Sequence, residues 1–549
     1  MTTSTKPLRP AATLIIVRDG ADGPEVFLMQ RTHQASFMAS AHVFPGGAVD
    51  HSDHDDSNAI HDLDDRAASA TLNLEKGGVS YWIAAIRECF EEAGLLFATD
   101  ASGELVQLPD LQEANALRQQ LSEGTLTLKD LCLSRNWRLA PERAAYMSHW
   151  ITPIGLPKRF DTRFFIAVAP PGQTGWHDDE ETIANIWITP ELALSRFASG
   201  EMKLAQATQT ILRELQPFRS AGEIMAHVRT PRTIPEINPR VSINSKGRKV
   251  LLPGDFPYAE ISKIDPTGLG TFWSEIVPGA VRELSPHVRR IAAPNPGFMT
   301  GPGTNTYLVG DAGVLAVIDP GPDIESHLAA VAQEGGAAIR YILTTHTHRD
   351  HSPGAARLKE LTGAEVIGMP APATEFQDAD FRPDRVPRDG DRLQLGSVTL
   401  RVIHTPGHAS NHCCFLLEEE RMLFTGDHIM QGSTVVINPP DGDMAVYLAS
   451  LRKVRDPEIE WLAPGHGFLM DQPVQRIDRL LAHRQAREDK VLDCLQRTGP
   501  ISAYDLVSVV YDDVPVERYA MALRSMSAHL IKLQQEGRAT EVDGRWQAV

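Results

Sequence analysis

Thr345-His346-Thr347-His348-Arg349-Asp350-His351 is the stretch on which the reading of this chain turns. It follows the apolar run Tyr341-Ile342-Leu343 and places four candidate ligands within six residues. Downstream, His408 stands in Thr405-Pro406-Gly407-His408, Asp427 in Phe424-Thr425-Gly426-Asp427 and His466 in Pro464-Gly465-His466-Gly467. Each lies just past a short β-like run, at 400–403, 422–424 and 461–462. Strand ends on one edge of a sheet converge, so residues far apart in sequence can share one cleft. Imidazole nitrogens and carboxylate oxygens are donors that Zn²⁺ accepts, and a carboxylate can bridge to a second ion. A single histidine such as His404 or His412 reads as a polar loop residue. Seven donors at strand ends read as a metal site.

The pattern resembles the metallo-β-lactamase superfamily over about residues 286–475. The resemblance implies a first metal on His346, His348 and His408, a second on Asp350, His351 and His466, and Asp427 bridging the two. It also implies a catalytic role for Asp350 and a four-layer αβ/βα sandwich. Two such ions lower the pKa of a shared water and polarise the scissile bond. The donor set accepts two Zn²⁺, or Fe or Mn, alike.

The N-terminal half opens with strand-like runs at 12–17 and 25–29, followed by Phe44-Pro45-Gly46-Gly47. Further on stands Arg87-Glu88-Cys89-Phe90-Glu91-Glu92-Ala93-Gly94-Leu95. On a helix Glu88, Glu91 and Glu92 share one face, where unpaired carboxylates repel one another. A hard cation such as Mg²⁺ or Mn²⁺ relieves that repulsion and can bind diphosphate oxygens. This segment resembles the second half of the Nudix box, GX5EX7REUXEEXGU. Counting from Gly47, the family's first glutamate is replaced by Asp53, and about 26 extra residues (54–79) precede Arg87. That insert, with His54 and His61, reads as a surface loop. The split box and Arg159-Phe160-Asp161-Thr162-Arg163 resemble the Nudix coenzyme A diphosphatases. The resemblance implies that Glu88, Glu91 and Glu92 bind metal, that Glu91 and Glu92 are catalytic, and that Arg87 orients an acidic partner. Glu180 or Glu181 would supply a further ligand or base.

The expected organisation is multidomain, α/β and α+β. A Nudix α/β/α sandwich spans 9–260, a linker 261–285, the metallo-hydrolase domain 286–475 and a winged-helix-like domain 476–549. The last rests on amphipathic runs at 477–495, 503–510 and 519–535 and a hairpin around Asp543-Gly544. From Arg476 onward there are 11 Lys/Arg and 11 Asp/Glu, a poor balance for a nucleic-acid reader. A homodimer contact or structural flap suits that domain equally. The run from Asn295 to Gly310, the histidine motif and this tail together resemble the β-lactamase-like protein 2 group, which includes single-strand endoribonucleases. Only 38 residues separate Asp427 from His466, too few for the inserted domain of the β-CASP nucleases.

The chain has 549 residues, 42% of them hydrophobic, and a formal charge of −18, which argues against a general polyanion-binding surface. Five cysteines without a CxxC pair fit a reducing compartment. No apolar run approaches the roughly 20 residues that span a bilayer. With no hydrophobic leader at 1–10, the expected location is cytoplasmic, with no membrane partner. These features predict a bifunctional metal-dependent hydrolase. Its Nudix half would cleave a nucleoside-diphosphate derivative such as CoA or acyl-CoA, and its histidine site an ester, thioester or phosphodiester. The alternatives are an RNA-processing endoribonuclease acting on single-stranded RNA, and one metallo-hydrolase regulated by a non-catalytic Nudix domain.

Overall fold

In a computed structural model, residues 7–32, 40–54, 59–108, 111–156, 158–176 and 182–549 are described. The chain forms two compact units, one of 1–241 with 267–269, the other of 242–266 with 270–549. The sequence-based limits differ from this. Residues 242–260, read as the end of the N-terminal domain, belong to the second unit. So does most of the expected linker, which contains the strand Val281–Ser285. The helix Tyr258–Ile264 explains the shift: it buries Ala259, Glu260 and Ile261, and Glu260 is paired with Arg290 of the second unit.

The first unit is organised by the long strand Arg9–Gly20. It pairs parallel with Phe160–Val168 and antiparallel with Gly23–Arg31 and Gly46–Ala48. Seven consecutive residues of this strand, 11–17, are buried, as expected for a strand covered on both faces. One face packs against helix Val79–Ala93 through Trp82, Ile83, Ile86 and Phe90, with Leu14, Ile16, Phe27 and Phe165 opposite. Gly94 ends that helix at φ 70°, a left-handed conformation that glycine adopts without a Cβ penalty. The insert corrects the loop expectation. Asp65–Leu72 is a helix that buries Ala68, Ser69 and Leu72, and Asp65 accepts the amides of Gly77 and Val79. Ile60 and Leu72 join the core, so the described part of the insert, 59–79, is packed structure.

The second unit has two facing sheets. One runs in spatial order through Val281–Ser285, Val288–Ala292, Asn305–Asp311, Val314–Ile318, Ile339–Leu343 and Glu365–Ile367. The other runs through Arg392–Leu395, Val398–His404, Cys413–Leu417, Met422–Gly426 and Trp461–Pro464. Tyr307, Ile318, Phe415 and Phe424 fill the space between them. Helices cover the outer faces: Glu325–Gly335 and Gly354–Thr362 on one, Met444–Lys453 and Pro473–Thr498 on the other. This is the expected αβ/βα sandwich.

Helices Pro473–Thr498, Ala503–Val510 and Tyr519–Gln535 then close over a small core with the hairpin Ala539–Val542 and Arg545–Ala548. Ser502 caps the middle helix by accepting the Asp505 amide. Among the described residues all five cysteines are free and buried. No described helix is long and apolar enough to cross a membrane.

Candidate functional site

Strand direction assembles the histidine site. Ile339–Leu343 runs parallel to Val314–Ile318, and Met422–Gly426 parallel to Trp461–Pro464. The residues following these strands, Asp319, His346, Asp427 and His466, therefore emerge at strand C-terminal ends. His408 follows Val398–His404, which runs the same way as Met422–Gly426 because each pairs antiparallel with the strand between them.

All seven predicted residues meet there. His346 Nε2 lies 2.9 Å from His348 Nδ1, and His408 Nε2 lies 3.1 Å from the same nitrogen. Asp350 Oδ2 is 3.5 Å from His351 Nε2 and 3.3 Å from His466 Nε2. Asp427 stands between the two groups. Its Oδ2 is 3.8 Å from His408 Nε2, while its Oδ1 is 3.5 Å from His351 Nε2 and 3.4 Å from His466 Nε2. Three overlapping donor sets result: His346/His348/His408, His346/His351/Asp427 and Asp350/His351/His466. Gly465 is needed for this closeness, since a Cβ there would sit 2.8 Å from both Asp427 Oδ1 and His351 Cε1.

The donor chemistry fits cations. His351 Nε2, His466 Nε2 and Asp427 Oδ1 are buried without a hydrogen-bond partner, an arrangement that costs free energy unless an ion supplies the missing interaction. The outward ring nitrogens are tied down. His408 Nδ1 faces the Val436 carbonyl at 2.8 Å and His466 Nδ1 that of Gly303 at 3.2 Å. His351 Nδ1 faces Asp319 Oδ2 at 2.8 Å. The Thr345 hydroxyl donates to Asp319 and can accept from His346 Nδ1. Such contacts fix the tautomer that leaves the inner nitrogen bare for a metal.

Electrostatics divide the two halves of the site. Burial and neighbouring histidines hold His346 well below the usual imidazole range, and bring His348 down to about 3. Burial also works against a charge on His351, but Asp350, Asp319 and Asp427 outweigh it and raise His351. Burial would raise Asp427, but His466 and His351 hold it well below the ordinary carboxylate range.

Several supporting residues carry no motif. Asp319 accepts both the Thr345 amide and its hydroxyl. Its only sequence signal is an acidic residue just past a strand, the same signal that marks Asp427. The His466 loop is clamped by a buried pair, Glu260 and Arg290, at 2.7 and 2.9 Å. Glu260 also accepts the Leu469 amide, and Asn305 Nδ2 donates to the carbonyls of Pro464 and Gly467. His412 is a correction: it is fully buried rather than a polar loop residue, its ring 5.1 Å from that of His346. His404 is a correction too: it is the half-buried last residue of the strand Val398–His404, its Nε2 3.3 Å from the Ser410 carbonyl.

The glutamate site is built differently. Arg87 donates to both oxygens of Asp53 at 2.8 and 2.9 Å, and through Nη1 to Glu88 and Glu91 at 3.0 Å each. Asp53 thus occupies the place of the missing glutamate, with its carboxylate buried and its backbone in a capping turn with Asp50. Glu92 has a different contact from the two glutamates held by Arg87. Its carboxylate accepts the Gly46 amide at 2.9 Å. Burial raises Glu91 and brings Glu88 up to about 7, against the pull of Arg87. At Gly47 any Cβ would collide with the Glu88 carboxylate. Glu180 and Glu181 lie outside the described residues.

Comparison with known proteins matches this geometry to two enzyme families. Residues 299–466 match the model of the metallo-beta-lactamase superfamily. A beta-lactamase-like protein 2 homolog of Drosophila melanogaster is 33% identical over 276 residues, covering 47% of this chain and 91% of the relative. The chain belongs to the metallo-β-lactamase superfamily. Within it, an atrochrysone carboxyl ACP thioesterase of Aspergillus chevalieri is 32% identical, covering 52% of this chain and 97% of that protein. Residues 502–546 match the beta-lactamase associated winged helix domain, and residues 58–213 match the NUDT19 Nudix domain. A crystal structure of a Nudix hydrolase from Alicyclobacillus acidocaldarius aligns with a TM-score of 0.36 at 26% identity, over 41% of this chain and 99% of that one. This metallo-β-lactamase superfamily member is a hydrolase that also carries a Nudix domain.

Proposed function

We propose that the chain is a two-headed metal-dependent hydrolase whose histidine head cleaves a thioester and whose Nudix head cleaves a nucleoside-diphosphate derivative of the CoA type. The observation that carries the first part is Asp427, buried with one oxygen toward His408 and the other toward His351 and His466. A bridging carboxylate needs that arrangement. His346, His348 and His408 would hold one divalent cation, Zn²⁺, Fe or Mn, and Asp350, His351 and His466 the other. Two such cations supply Lewis acidity and an activated water at neutral pH.

The chain's own groups do the rest. Thr345, Asp319 and the carbonyls of Val436 and Gly303 hold the outer ring nitrogens and so turn the inner ones toward the site. The Asp350 side chain is 28% exposed. Burial opposes its charge, but His351 and His466 keep it below the usual carboxylate range. It is therefore ionised and, with metal bound, would be the catalytic carboxylate of the site. A thioester is favoured over other substrates because a relative matched over 97% of its own length is named as an acyl-carrier thioesterase. In the Nudix head Glu88, Glu91 and Glu92 would hold Mg²⁺ or Mn²⁺, with Arg87 fixing the first two. Glu91 and Glu92 would be catalytic there.

The test is a product screen on metal-loaded protein with CoA, acetyl-CoA, other thioesters and single-stranded RNA. Thiol release lost with Asp350→Ala, and 3′,5′-ADP release from CoA lost with Glu91→Gln, are the expected results. Intact CoA and thioesters after long incubation would sink the proposal. A second reading, a Nudix domain that binds nucleotide without cleaving it, draws support from the internal satisfaction of its carboxylates by Arg87 and Gly46. It predicts CoA binding without 3′,5′-ADP release.

A further inference from the structure

Two loops that hold the histidine site each present an exposed phenylalanine, and each ring is covered by an arginine of the winged-helix domain. Phe298 is 66% exposed, on the loop that ends at Gly303, whose carbonyl faces His466. Phe376 is 44% exposed, beside Gln377. Gln377 accepts from the Thr347 hydroxyl, between His346 and His348, at 2.6 Å. The Arg518 guanidinium lies 5.2 Å from the Phe298 ring centre and that of Arg524 lies 5.1 Å from Phe376. These arginines lie six residues apart at the start of helix Tyr519–Gln535, about 9 Å along its axis. The helix therefore reaches both loops, one anchored to each half of the metal-ligand set.

Arg518, Arg524 and Arg349 (on the ligand loop itself) are exposed, and none is ion-paired or hydrogen-bonded through its side chain among the described residues. Elsewhere in the same unit arginines such as Arg290, Arg385, Arg455 and Arg487 are held by carboxylates. In a chain of net charge −18, guanidinium groups left without acidic partners beside a catalytic centre are available to an anionic ligand. Met299, 52% exposed, and the two rings add apolar surface to the same place.

We infer that this mouth selects thioesters whose leaving group carries a phosphate, Arg518 and Arg524 binding the phosphate while Phe298, Met299 and Phe376 pack against the apolar part of the substrate. The inference deepens the thioesterase reading and rests on it. A phosphopantetheine-type arm has the required parts: a thioester at one end, a phosphate at the other and an amphipathic chain between. The winged-helix domain then acts as a substrate-reading lip, which accounts for a fold often linked to nucleic acids here having no net basic charge.

The experiment compares S-butyryl-4′-phosphopantetheine with S-butyrylpantetheine, which differ by the phosphate alone. Neither contains a diphosphate, so the Nudix head has nothing to cleave. The full-length, metal-loaded protein is expected to favour the phosphorylated thioester in kcat/KM by roughly tenfold or more, the scale of one charge-assisted contact. In Arg518→Gln/Arg524→Gln that ratio is expected to fall toward one. A ratio unchanged by the double substitution overturns the inference. If the wild type hydrolyses neither thioester, the thioesterase reading fails, and calorimetric binding of 4′-phosphopantetheine against pantetheine decides the phosphate site separately. Loss of the phosphate's binding advantage in the double variant supports the site, and an unchanged advantage overturns it. Loss of single-stranded RNA cleavage with phosphopantetheine binding intact also overturns it. Arg518→Lys/Arg524→Lys, which keeps the charge, is expected to recover part of the ratio.

Discussion

Asp53 and Asp427 are both buried carboxylates at the heart of a candidate metal site, yet their charges are met in opposite ways. Asp53 is gripped by both arms of Arg87, whose third nitrogen also holds Glu88 and Glu91. Asp427 has no arginine or lysine partner among the described residues. It faces only imidazoles, and its Oδ1 has no hydrogen bond. The first site carries its cation in the polypeptide, whereas the second would leave that role to ions from solution. A site of the first kind can fold complete without metal. One of the second kind depends on metal for stability as well as chemistry.

The largest expected effect is on turnover. Asp427→Ala should cut thiol release from a thioester by roughly 10⁴-fold, the scale on which a cooperating catalytic set fails when one member is lost. Elemental analysis should show fewer ions per chain, and full occupancy with normal rates would break the contrast.

Next comes Arg87→Ala, which strands the buried Asp53 carboxylate. Removal of one partner from a buried pair costs about 3–5 kcal/mol, so denaturant unfolding of the first unit should shift by that amount while the second unit's transition stays in place. A loss under about 1 kcal/mol would show that Arg87 is not the internal cation proposed.

Chelation probes the second site. Ions present at a hundred times their dissociation constant stabilise by about 2.7 kcal/mol. Their removal should lower the melting transition of the second unit and leave that of the first nearly unmoved. Equal shifts in both units would erase the distinction.

The smallest effect sharpens the rule. Glu488, 1% exposed in the winged-helix domain, is another carboxylate with built-in partners, His529, Lys532 and Arg538. Burial alone would raise its pKa, but hydrogen bonds from His529 and Lys532 outweigh that and hold it at about 2. Because the folded value lies below the ordinary 4.5, its contribution is present above pH 4.5 and fades as pH falls toward about 2. Glu488→Gln should cost about 2 kcal/mol near neutrality, with a difference from wild type that vanishes at the acid end. A gap independent of pH would assign the loss to packing instead.

How much was legible beforehand follows the same line. The histidine set could be read because each donor lies just past a β-like run, so strand direction alone predicts convergence. Asp319 gives the same signal in Asp319-Pro320-Gly321, yet it lies in no histidine motif, and its role appears only when Thr345 and His351 turn toward it. The 54–79 insert reads as loop because it is rich in Asp, while the Asp65 contacts that fold it involve backbone amides, which composition does not reveal. The domain limit near 241 was hidden for a related reason. Glu260 belongs to the second unit through Arg290, 30 residues away, and no periodicity encodes that pairing.

The sequence by itself determined the two sandwiches, the winged-helix tail and which seven histidine-site residues and three Nudix glutamates are the candidate donors, because these depend on local periodicity and fixed spacing. Tertiary structure alone decided that Arg87 meets Asp53 and two of the glutamates while Glu92 turns to Gly46. It also decided that Glu260 clamps the His466 loop, and that Arg518 and Arg524 cover the rings beside the metal-ligand loops. Each of these is a contact between distant residues, fixed by packing and by the need to satisfy buried charge.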